Sequence, residues 1–215
     1  MTSAGEGRGT RRDSVRNRAR LVDAAREVFA ERGFDATLDD VARHAGLGTG
    51  TAYRHFPNKR ALAAEVLAGA TEQIVLDARA ALEIADPWPA LVEFFQRNAE
   101  RQARDRGLYQ ALTGQGDDEV QARIWPEIVA AVTELFRRAH RAGAVRADAE
   151  PQDIAAIFAL LGPAFEMSRT VSPALWQRYL ALILDGLRAT DRPALPAPPP
   201  PLEALPLILR SGKHR

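Results

Sequence analysis

The chain has 215 residues, of which 46% are hydrophobic and 27% charged, and it contains no cysteine. Such a composition is typical of a globular protein, and the lack of cysteine excludes disulfides, thiolate catalysis and cysteine-ligated metals. The four histidines show no metal-ligand spacing, so we expect no metal. Because no apolar run approaches the roughly 18 residues of a membrane span, and the start lacks the apolar core of a secretion signal, we expect a cytoplasmic protein that does not enter membranes.

Positive charge is concentrated at the N-terminal end, although the formal net charge of the chain is only +1. Residues 1–60 carry 12 Lys and Arg against 8 Asp and Glu, and the remainder carries 17 against 20. This asymmetry favours a polyanionic partner at one end of the protein, although a solvated basic tail explains Arg8 to Arg12 equally well. Residues 1–15 have too few apolar side chains to pack, so we predict a disordered basic arm there.

The predicted elements begin after this arm with two helices. Apolar residues recur at helical spacing over residues 16–32, and Gly33 ends the first helix. Thr37 is placed to cap a second helix over residues 38–45, and Asp40 stands at the third helical position. This spacing predicts a variant of the capping box at the start of the second helix.

A third helix is predicted from Gly48 to Phe56, between a glycine turn at Gly46 and the helix-breaking Pro57. On a helical wheel Ala52 and Phe56 face the core. The residues on the opposite face are left for a partner: Gly50, Tyr53 and Arg54. Two short helices joined by a glycine turn indicate a helix-turn-helix, whose second helix enters the major groove of DNA.

The rest of the chain keeps helical periodicity, and no segment alternates with the period of a strand. Long helices are predicted over residues 60–85 and 87–105, and another over residues 117–143 is expected to be interrupted at Pro126. Two strongly apolar helices follow, over residues 151–169 and 173–189. We therefore predict an all-α fold of about nine helices.

Half of the 14 prolines lie between Pro193 and Pro206. Such a run favours an extended polyproline conformation and no packed core, so we predict a disordered tail over residues 192–215. Binding of the tail to a proline-recognising partner and docking of residues 205–209 on the body are the alternatives.

Residues 16–62 resemble the DNA-binding part of the TetR family of bacterial transcriptional regulators. The resemblance lies in the helix lengths, the turn at Gly33 and Phe34, the glycine turn and the Tyr-x-His-Phe end of the third helix, all within ARLVDAAREVFAERGFDATLDDVARHAGLGTGTAYRHFPNKRAL. The last helix, WQRYLALILDGLRA, is similar to a dimerisation helix of the family. The resemblance implies a helix-turn-helix DNA-binding domain over residues 16–60 and a helical effector-binding and dimerisation domain over residues 61–191.

The family pattern implies which residues contact DNA. Thr37 and the start of the second helix are expected to hold a phosphate, and the start of the third helix to meet base edges. Tyr53, His55 and Lys59 are expected to contact phosphates, and Arg54 to contact the backbone or bases. Taken singly, His55 is also compatible with a structural histidine and Tyr53 with a surface aromatic. The implied contacts are Thr37, Gly48, Thr49, Gly50, Thr51, Tyr53, Arg54, His55 and Lys59.

The resemblance also implies a small-molecule effector bound in the body. Asn98 and Gln102 share one helix face with Leu91 and Phe95, and polar side chains on an inward face need partners, of which a ligand is one. Large side chains of the body either line a cavity or form plain core: Trp88, Phe94, Phe95, Tyr109, Trp125, Phe158, Phe165 and Met167.

The last two predicted helices are apolar enough to form a homodimer interface. Two such helices from each chain would build a four-helix bundle. An operator of two half-sites also requires two copies of the helix-turn-helix domain. Completion of a monomer core is the alternative. The apolar residues concerned are Ile154, Ile157, Phe158, Leu161, Leu180, Ile183, Leu184 and Leu187.

We therefore predict a TetR-like repressor that binds a double-stranded operator as a homodimer, uses no cofactor and is released by a small-molecule effector. An enzyme is not expected, because no nucleophile–base pair, carboxylate pair, metal cluster or phosphate-binding glycine loop can be assembled. The alternative is a helical ligand-binding or scaffold protein that has lost DNA binding.

Overall fold

The computed structural model describes residues 6–112, 118–189 and 193–201. These residues form ten α-helices and one short 3₁₀ turn at Gly33–Asp35. The helices are α1 (Glu6–Arg32), α2 (Leu38–His44), α3 (Thr49–His55), α4 (Lys59–Leu82), α5 (Pro87–Arg104), α6 (Arg106–Leu112), α7 (Asp118–Arg141), α8 (Gln152–Leu160), α9 (Gly162–Thr170) and α10 (Leu175–Leu187). Only Leu161 separates α8 from α9, so the two count as one interrupted helix, and the predicted all-α fold of about nine helices is confirmed.

The first three helices and the start of α4 enclose a small core of their own. Leu21, Phe29, Val41, Ala52 and Phe56 are its central members, and each is at most 2% exposed. Burial of a side chain as large as phenylalanine contributes about 1.5–3 kcal/mol. The small Ala52 lies at the contact of α3 with this core, so α3 packs closely against its neighbours.

Helix α1 begins earlier than the sequence pattern predicts. It extends from Glu6, so residues 6–15, which were predicted as part of a disordered arm, form its first turns. Of that arm, residues 1–5 lie outside the described range. Val15 is largely exposed, so packing does not explain this extension. A helix that is already nucleated by its packed part adds residues at low cost, and residues 6–15 contain no proline to stop it.

The body forms a second core, in which α4 packs against α5 and α7. Arg138 of α7 closes the C-terminal end of α4 by donating to the carbonyl oxygens of Leu82 at 2.8 Å, Ile84 at 2.5 Å and Ala85 at 2.9 Å. The last carbonyls of a helix have no partner within the helix, and a cation there also interacts favourably with the helix dipole. Arg138 therefore fixes the end of α4 against α7.

Helix α7 continues through Pro126, where an interruption was predicted. A proline inside a helix removes a hydrogen bond and costs about 3 kcal/mol. The apolar face that follows, with Ile128, Val132, Leu135 and Phe136 buried in the body core, offsets this cost. Within the described ranges, none of the helices combines the length and the apolar character of a membrane span.

Helix α6 was not predicted, and it joins the DNA-binding part to the body. Asp105 precedes it and caps it by accepting the N–H of Leu108 at 2.8 Å, and burial raises the pKa of the Asp105 carboxyl. Gly107 allows α6 to approach α1, because a Cβ at this position would lie 2.9 Å from the Cβ of Phe29. The side chain of Gln110 accepts the backbone N–H of Phe34 at 2.8 Å.

The first part of the predicted tail lies against the body rather than being disordered. Asp148 accepts the N–H of Leu195 at 2.7 Å, Arg146 donates to the carbonyl of Pro193 at 3.0 Å, and Gln152 donates to that of Pro200 at 3.3 Å. Proline carbonyls remain available as acceptors although proline has no N–H, which explains how this segment is held. Residues 202–215, including the segment 205–209 predicted to dock, lie outside the described residues.

We predict that Asp148→Ala releases residues 193–201 from the body. Arg146 and the Leu195 N–H hold the pKa of Asp148 at about 2, below the ordinary 3.8. The anchoring is therefore complete above the ordinary value and is lost as the pH falls through about 2. At neutral pH, hydrogen exchange of the Leu195 amide should be faster in Asp148→Ala and unchanged in the control Asp39→Ala, which removes an exposed carboxylate of α2. Equal exchange rates in wild type and Asp148→Ala would contradict this anchoring.

Candidate nucleic-acid interface and ligand cavity

The predicted capping box at the start of α2 is confirmed. The Oγ1 of Thr37 accepts the N–H of Asp40 at 3.1 Å, and Asp40 accepts the N–H of Thr37 at 2.9 Å. The two bonds from Thr37, followed by Arg32, hold the pKa of Asp40 at about 2. The hydroxyl of Thr37 also donates to Asp40 at 2.7 Å, so the residue is engaged as a cap, and its phosphate contact stays a prediction.

Helix α3 presents the face that the helical wheel predicts. Ala52 and Phe56 are buried, while Tyr53 is half exposed and Arg54 is exposed. The Nε of Arg54 donates to the carbonyl of Gly50 at 3.0 Å, which holds the guanidinium along the outer side of the helix. Thr51 and His55 are half-buried at the edges of this face. The outward face thus carries an aromatic ring with a hydroxyl and a guanidinium, both of which suit phosphate oxygens.

The N-terminal end of α3 is open. Gly48 caps the helix, and Gly48, Thr49 and Gly50 are all exposed. An added Cβ at Gly48 or Gly50 would meet nothing within 4 Å in the described part of the chain, and neither residue has a positive φ. The packing of this chain therefore does not require glycine at either position, whereas close approach of a partner's surface would.

Two arginines of α1 hold the ends of α2 and α3. Arg20 donates to the carbonyl of Ala45 at 2.6 Å, at the end of α2. Arg18 donates to the carbonyl of His55 at 3.1 Å, at the end of α3, and its guanidinium lies 4.3 Å from the ring centroid of Phe56. The number of charges in the sequence does not reveal that these arginines bind helix ends. The signal that could have indicated this role is that α2 and α3 each end in unpaired carbonyls, while α1 before them is rich in arginine.

Lys59 is engaged within the chain. Its ammonium donates to the carbonyl of Phe34 at 2.6 Å, so the Phe34 backbone is held on one side by α4 and on the other by Gln110 of α6. A lysine ammonium has three donors, so this bond leaves capacity for a phosphate. The predicted DNA contact of Lys59 stays a prediction.

An apolar cavity lies in the body between α4, α5, α7 and α8. Its volume of about 60 Å³ corresponds to about two water molecules and is less than half of the roughly 150 Å³ that holds a benzene ring. Half of the residues predicted to line a pocket are on its wall: Phe94, Asn98, Gln102, Trp125 and Phe158. The aliphatic part of the wall was not predicted: Ile74, Leu112, Ile128, Val129, Val132, Pro151, Ile154 and Ala155.

The other predicted pocket residues occupy the core or the surface. Phe95 stacks on Phe158 with ring centroids 5.3 Å apart, and Tyr109 packs on Phe165 at 5.6 Å. Trp88 lies under the guanidinium of Arg188. Met167 is partly exposed. Aromatic residues at helical spacing in this body are thus mostly core, and sequence spacing alone does not separate the two roles.

Polar side chains connect the cavity wall to α4. Asn98 is buried, donates to the carbonyl of Phe94 at 2.9 Å and accepts from Arg101 at 3.0 Å. Arg101 in turn donates to the buried Asp77 of α4 at 2.7 Å, and Gln73 donates to the same carboxylate at 3.1 Å. The prediction that Asn98 and Gln102 face inward is confirmed.

The last helices have an outer apolar face. The residues predicted for a dimer interface are largely buried within the protomer instead, with Ile154, Leu161, Leu180 and Leu184 in the body core. Other large apolar side chains of α8 to α10 and their connections are exposed: Leu160, Met167, Val171, Tyr179 and Leu182. A group of exposed apolar side chains on neighbouring helices is typical of a protein contact surface.

Comparison with known proteins gives matches to both halves of the chain. Residues 21–66 match the model for bacterial regulatory proteins of the tetR family. Residues 86–189 match the C-terminal domain of SbtR-like transcriptional regulators.

Individual relatives agree with these matches. The HTH-type transcriptional regulator TtgW of Pseudomonas putida is 36% identical over 113 residues, covering 52% of this chain and 84% of TtgW. The HTH-type transcriptional repressor KstR2 of Rhodococcus jostii is 38% identical over 77 residues, covering 31% of this chain and 38% of KstR2. The crystal structure of a TetR regulator from Mycobacterium vanbaalenii is 36% identical, covers 83% of this chain and 99% of its own, and superposes with a TM-score of 0.56.

Proposed function

Because this chain belongs to the TetR family of DNA-binding transcriptional regulators, we propose that it is a cytoplasmic repressor that a small molecule releases from its operator. Its relatives are transcriptional regulators and not enzymes. The main support for a DNA-binding surface at α3 is its open N-terminal end. The glycines there face solvent, and packing within the described residues does not require them. Relatives with either sign of control match this chain, since KstR2 is named a repressor and FasR of Mycolicibacterium smegmatis an activator, so repression is the part of the proposal that a promoter reporter decides.

In this proposal the open end of α3 reads bases and its outer face holds the backbone. Gly48 and Gly50 permit close approach, and the hydroxyls of Thr49 and Thr51 can bond base edges or touch a thymine methyl. Tyr53, Arg54, His55, Lys59 and the start of α2 at Thr37 would contact phosphates, which set the register and most of the affinity. Sequence preference then depends on very few side chains, together with DNA shape.

The exposed apolar face of α8 to α10 supports a homodimer through the last helices. Operator half-sites bound by such proteins lie about one helical turn apart, roughly 34–36 Å. Because one helix-turn-helix domain binds one half-site, a second subunit is needed for the other. A two-fold interface uses the same patch on both subunits. Tyr179 and Leu182 lie about one turn apart on α10 and are exposed, as are Leu160 at the end of α8 and Val171 after α9, so we propose that they belong to this patch.

The cavity supports effector binding in the body, and its contacts suggest how occupancy reaches α3. The bonds from Asn98 through Arg101 to Asp77 join its wall to α4, whose first residue Lys59 holds Phe34. Leu112 of α6 also lines the cavity, and the same helix holds Phe34 through Gln110. A ligand shifts the equilibrium between the DNA-binding and the released conformation only if it binds the two with different affinity. The cavity wall must therefore have a different arrangement in the released conformation.

One experiment tests the whole proposal. Selection from random DNA duplexes gives the operator, a gel shift with the purified full chain measures affinity, and a small-molecule library is screened for release. A promoter reporter carrying the operator then gives the sign of control. Tight operator binding, release by a ligand and reduced expression are expected. Failure to enrich any duplex contradicts DNA reading, and increased expression contradicts repression.

Gly50→Ala should separate folding stability from DNA binding. The added methyl group meets no neighbouring side chain within 4 Å among the residues that the structure describes, and alanine stabilises a helix by about 0.5–1 kcal/mol relative to glycine. Operator affinity should nevertheless fall roughly tenfold or more, the size of one lost base-pair contact. Urea unfolding and gel shifts measure the two effects. Gly69→Ala on α4 is the matched control and should keep operator affinity. Unchanged affinity in Gly50→Ala would remove this end of α3 from the DNA surface.

Lys59→Ala distinguishes a phosphate contact from a purely internal role. If Lys59 contacts a phosphate, the slope of log affinity against log salt should decrease by about 1 for every duplex tested. If Lys59 only holds Phe34, affinity falls and the slope stays the same, which would contradict the predicted contact. Arg79→Ala removes the same charge near the other end of α4 and is the control. Gel shifts over a salt series provide the measurement.

Leu182→Glu should convert the dimer into a monomer, because a charge would be buried at the interface without a partner. Operator affinity should decrease with it, since each half-site would be bound independently. Light scattering coupled to gel filtration measures the mass. Leu76→Glu places the same charge on another exposed leucine, on α4, and should leave the mass unchanged. A Leu182→Glu protein that stays dimeric would place the interface elsewhere.

A further inference from the structure

The wall of the cavity restricts the charge of any ligand. Every described residue that lines it is uncharged, and its polar members are Asn98, Gln102, Thr133 and Gln152. An ionised ligand would leave water and find no opposite charge on this wall, which is strongly unfavourable. The apolar remainder includes the rings of Phe94, Trp125 and Phe158. A neutral, flat and mainly apolar molecule therefore fits this wall.

The polar groups on the wall are not equally available. Both polar atoms of Asn98 are engaged, the nitrogen with Phe94 and the oxygen with Arg101. The nitrogen of Gln152 donates to Pro200 of the tail segment. Gln102 differs from both: its residue is 3% exposed, and its Oε1 has no hydrogen-bond partner among the residues that the structure describes. A buried oxygen without a partner is rare and costly in folded proteins.

An amide oxygen only accepts hydrogen bonds, so the group that completes Gln102 is an O–H or N–H donor. We propose that the cavity binds a neutral molecule with one aromatic ring and a hydroxyl or N–H donor, placed so that the donor bonds Gln102 Oε1. This inference rests on the proposed effector site and names the chemical class of its ligand. The small volume of the cavity excludes a molecule of more than one ring, and binding of one ring requires the wall to widen.

The test compares two probes of the same shape, para-fluorophenol and para-fluorotoluene, by fluorine NMR titration of the full chain. Only the phenol has a donor. The ratio of their affinities is measured in wild type, in Gln102→Leu and in the control Gln96→Leu, which replaces an exposed glutamine on the same helix, away from the cavity. Comparing this ratio between wild type and variant cancels the difference in hydrophobicity between the probes. We expect the ratio to favour the phenol about tenfold more in wild type than in Gln102→Leu, as one net hydrogen bond would. Gln96→Leu should keep the wild-type ratio.

Thermal unfolding of the ligand-free proteins is the second measurement. Leucine has nearly the volume of glutamine without its polar atoms, so Gln102→Leu should melt at the same or a higher temperature than wild type if Oε1 has no partner. A lower melting temperature would show that Gln102 holds a structural bond and would overturn the proposal. This measurement also shows whether the variant folds.

The outcomes separate this inference from the proposed function. Two results overturn the proposed ligand class: an unchanged probe ratio in Gln102→Leu, or no binding of the phenol to wild type. A releasing effector that has no donor and acts equally on Gln102→Leu also overturns it. None of these results changes the conclusion about operator binding and release, which gel shifts measure separately. Failure of every screened molecule to release the operator contradicts the effector role itself, whatever the probe ratio is.

Discussion

The arrangement of this protein depends on how the backbone of Phe34 is held. Its N–H donates to the side-chain oxygen of Gln110 on α6, and its carbonyl oxygen accepts from the ammonium of Lys59 on α4. Phe34 lies in the turn between α1 and α2, where Gly33 has a φ of +60° that favours glycine. Because both holding residues belong to helices that continue into the body, the position of the helix-turn-helix is set by side chains from α4 and α6 rather than by its own core alone.

Arginines close several helix ends in the same way. Arg20 and Arg18 bind the last carbonyls of α2 and α3, and Arg138 those of α4. Arg169 donates to the carbonyl of Ala103 at 2.9 Å, near the end of α5. In each case the arginine comes from a different helix than the one it closes. One contact thus satisfies unpaired backbone groups and fixes the distance between two helices. The basic character of the chain therefore has a large structural component besides its suitability for DNA.

Local patterns predicted local features well. The order Thr37 to Asp40 gave the capping box, and the positions of Ala52 and Phe56 gave the buried side of α3, because both depend on spacing within a few residues. Helix α6 was missed since it is a single short segment whose cap, Asp105, lies directly after α5. The lining of the cavity was predicted only in part. Whether an aromatic ring such as Phe95 or Phe94 reaches a cavity depends on the packing of four helices, which one helical period does not specify.

The tail illustrates a different limit. Composition correctly describes residues 193–201 as unable to build a core, yet the segment is held by three side chains of the body, and only one of its own N–H groups is used. Extended segments need few partners when the body supplies the donors and acceptors. Sequence patterns within the tail contain no information about Arg146, Asp148 and Gln152, which lie more than forty residues earlier.

The choice of arginine at the helix ends also determines how the protein responds to its surroundings. Each of these bonds joins a guanidinium, which keeps its proton under all physiological conditions, to a backbone carbonyl, which has no proton to exchange. Neither partner changes its charge within the physiological pH range. The bonds that close these helix ends therefore do not depend on pH in that range.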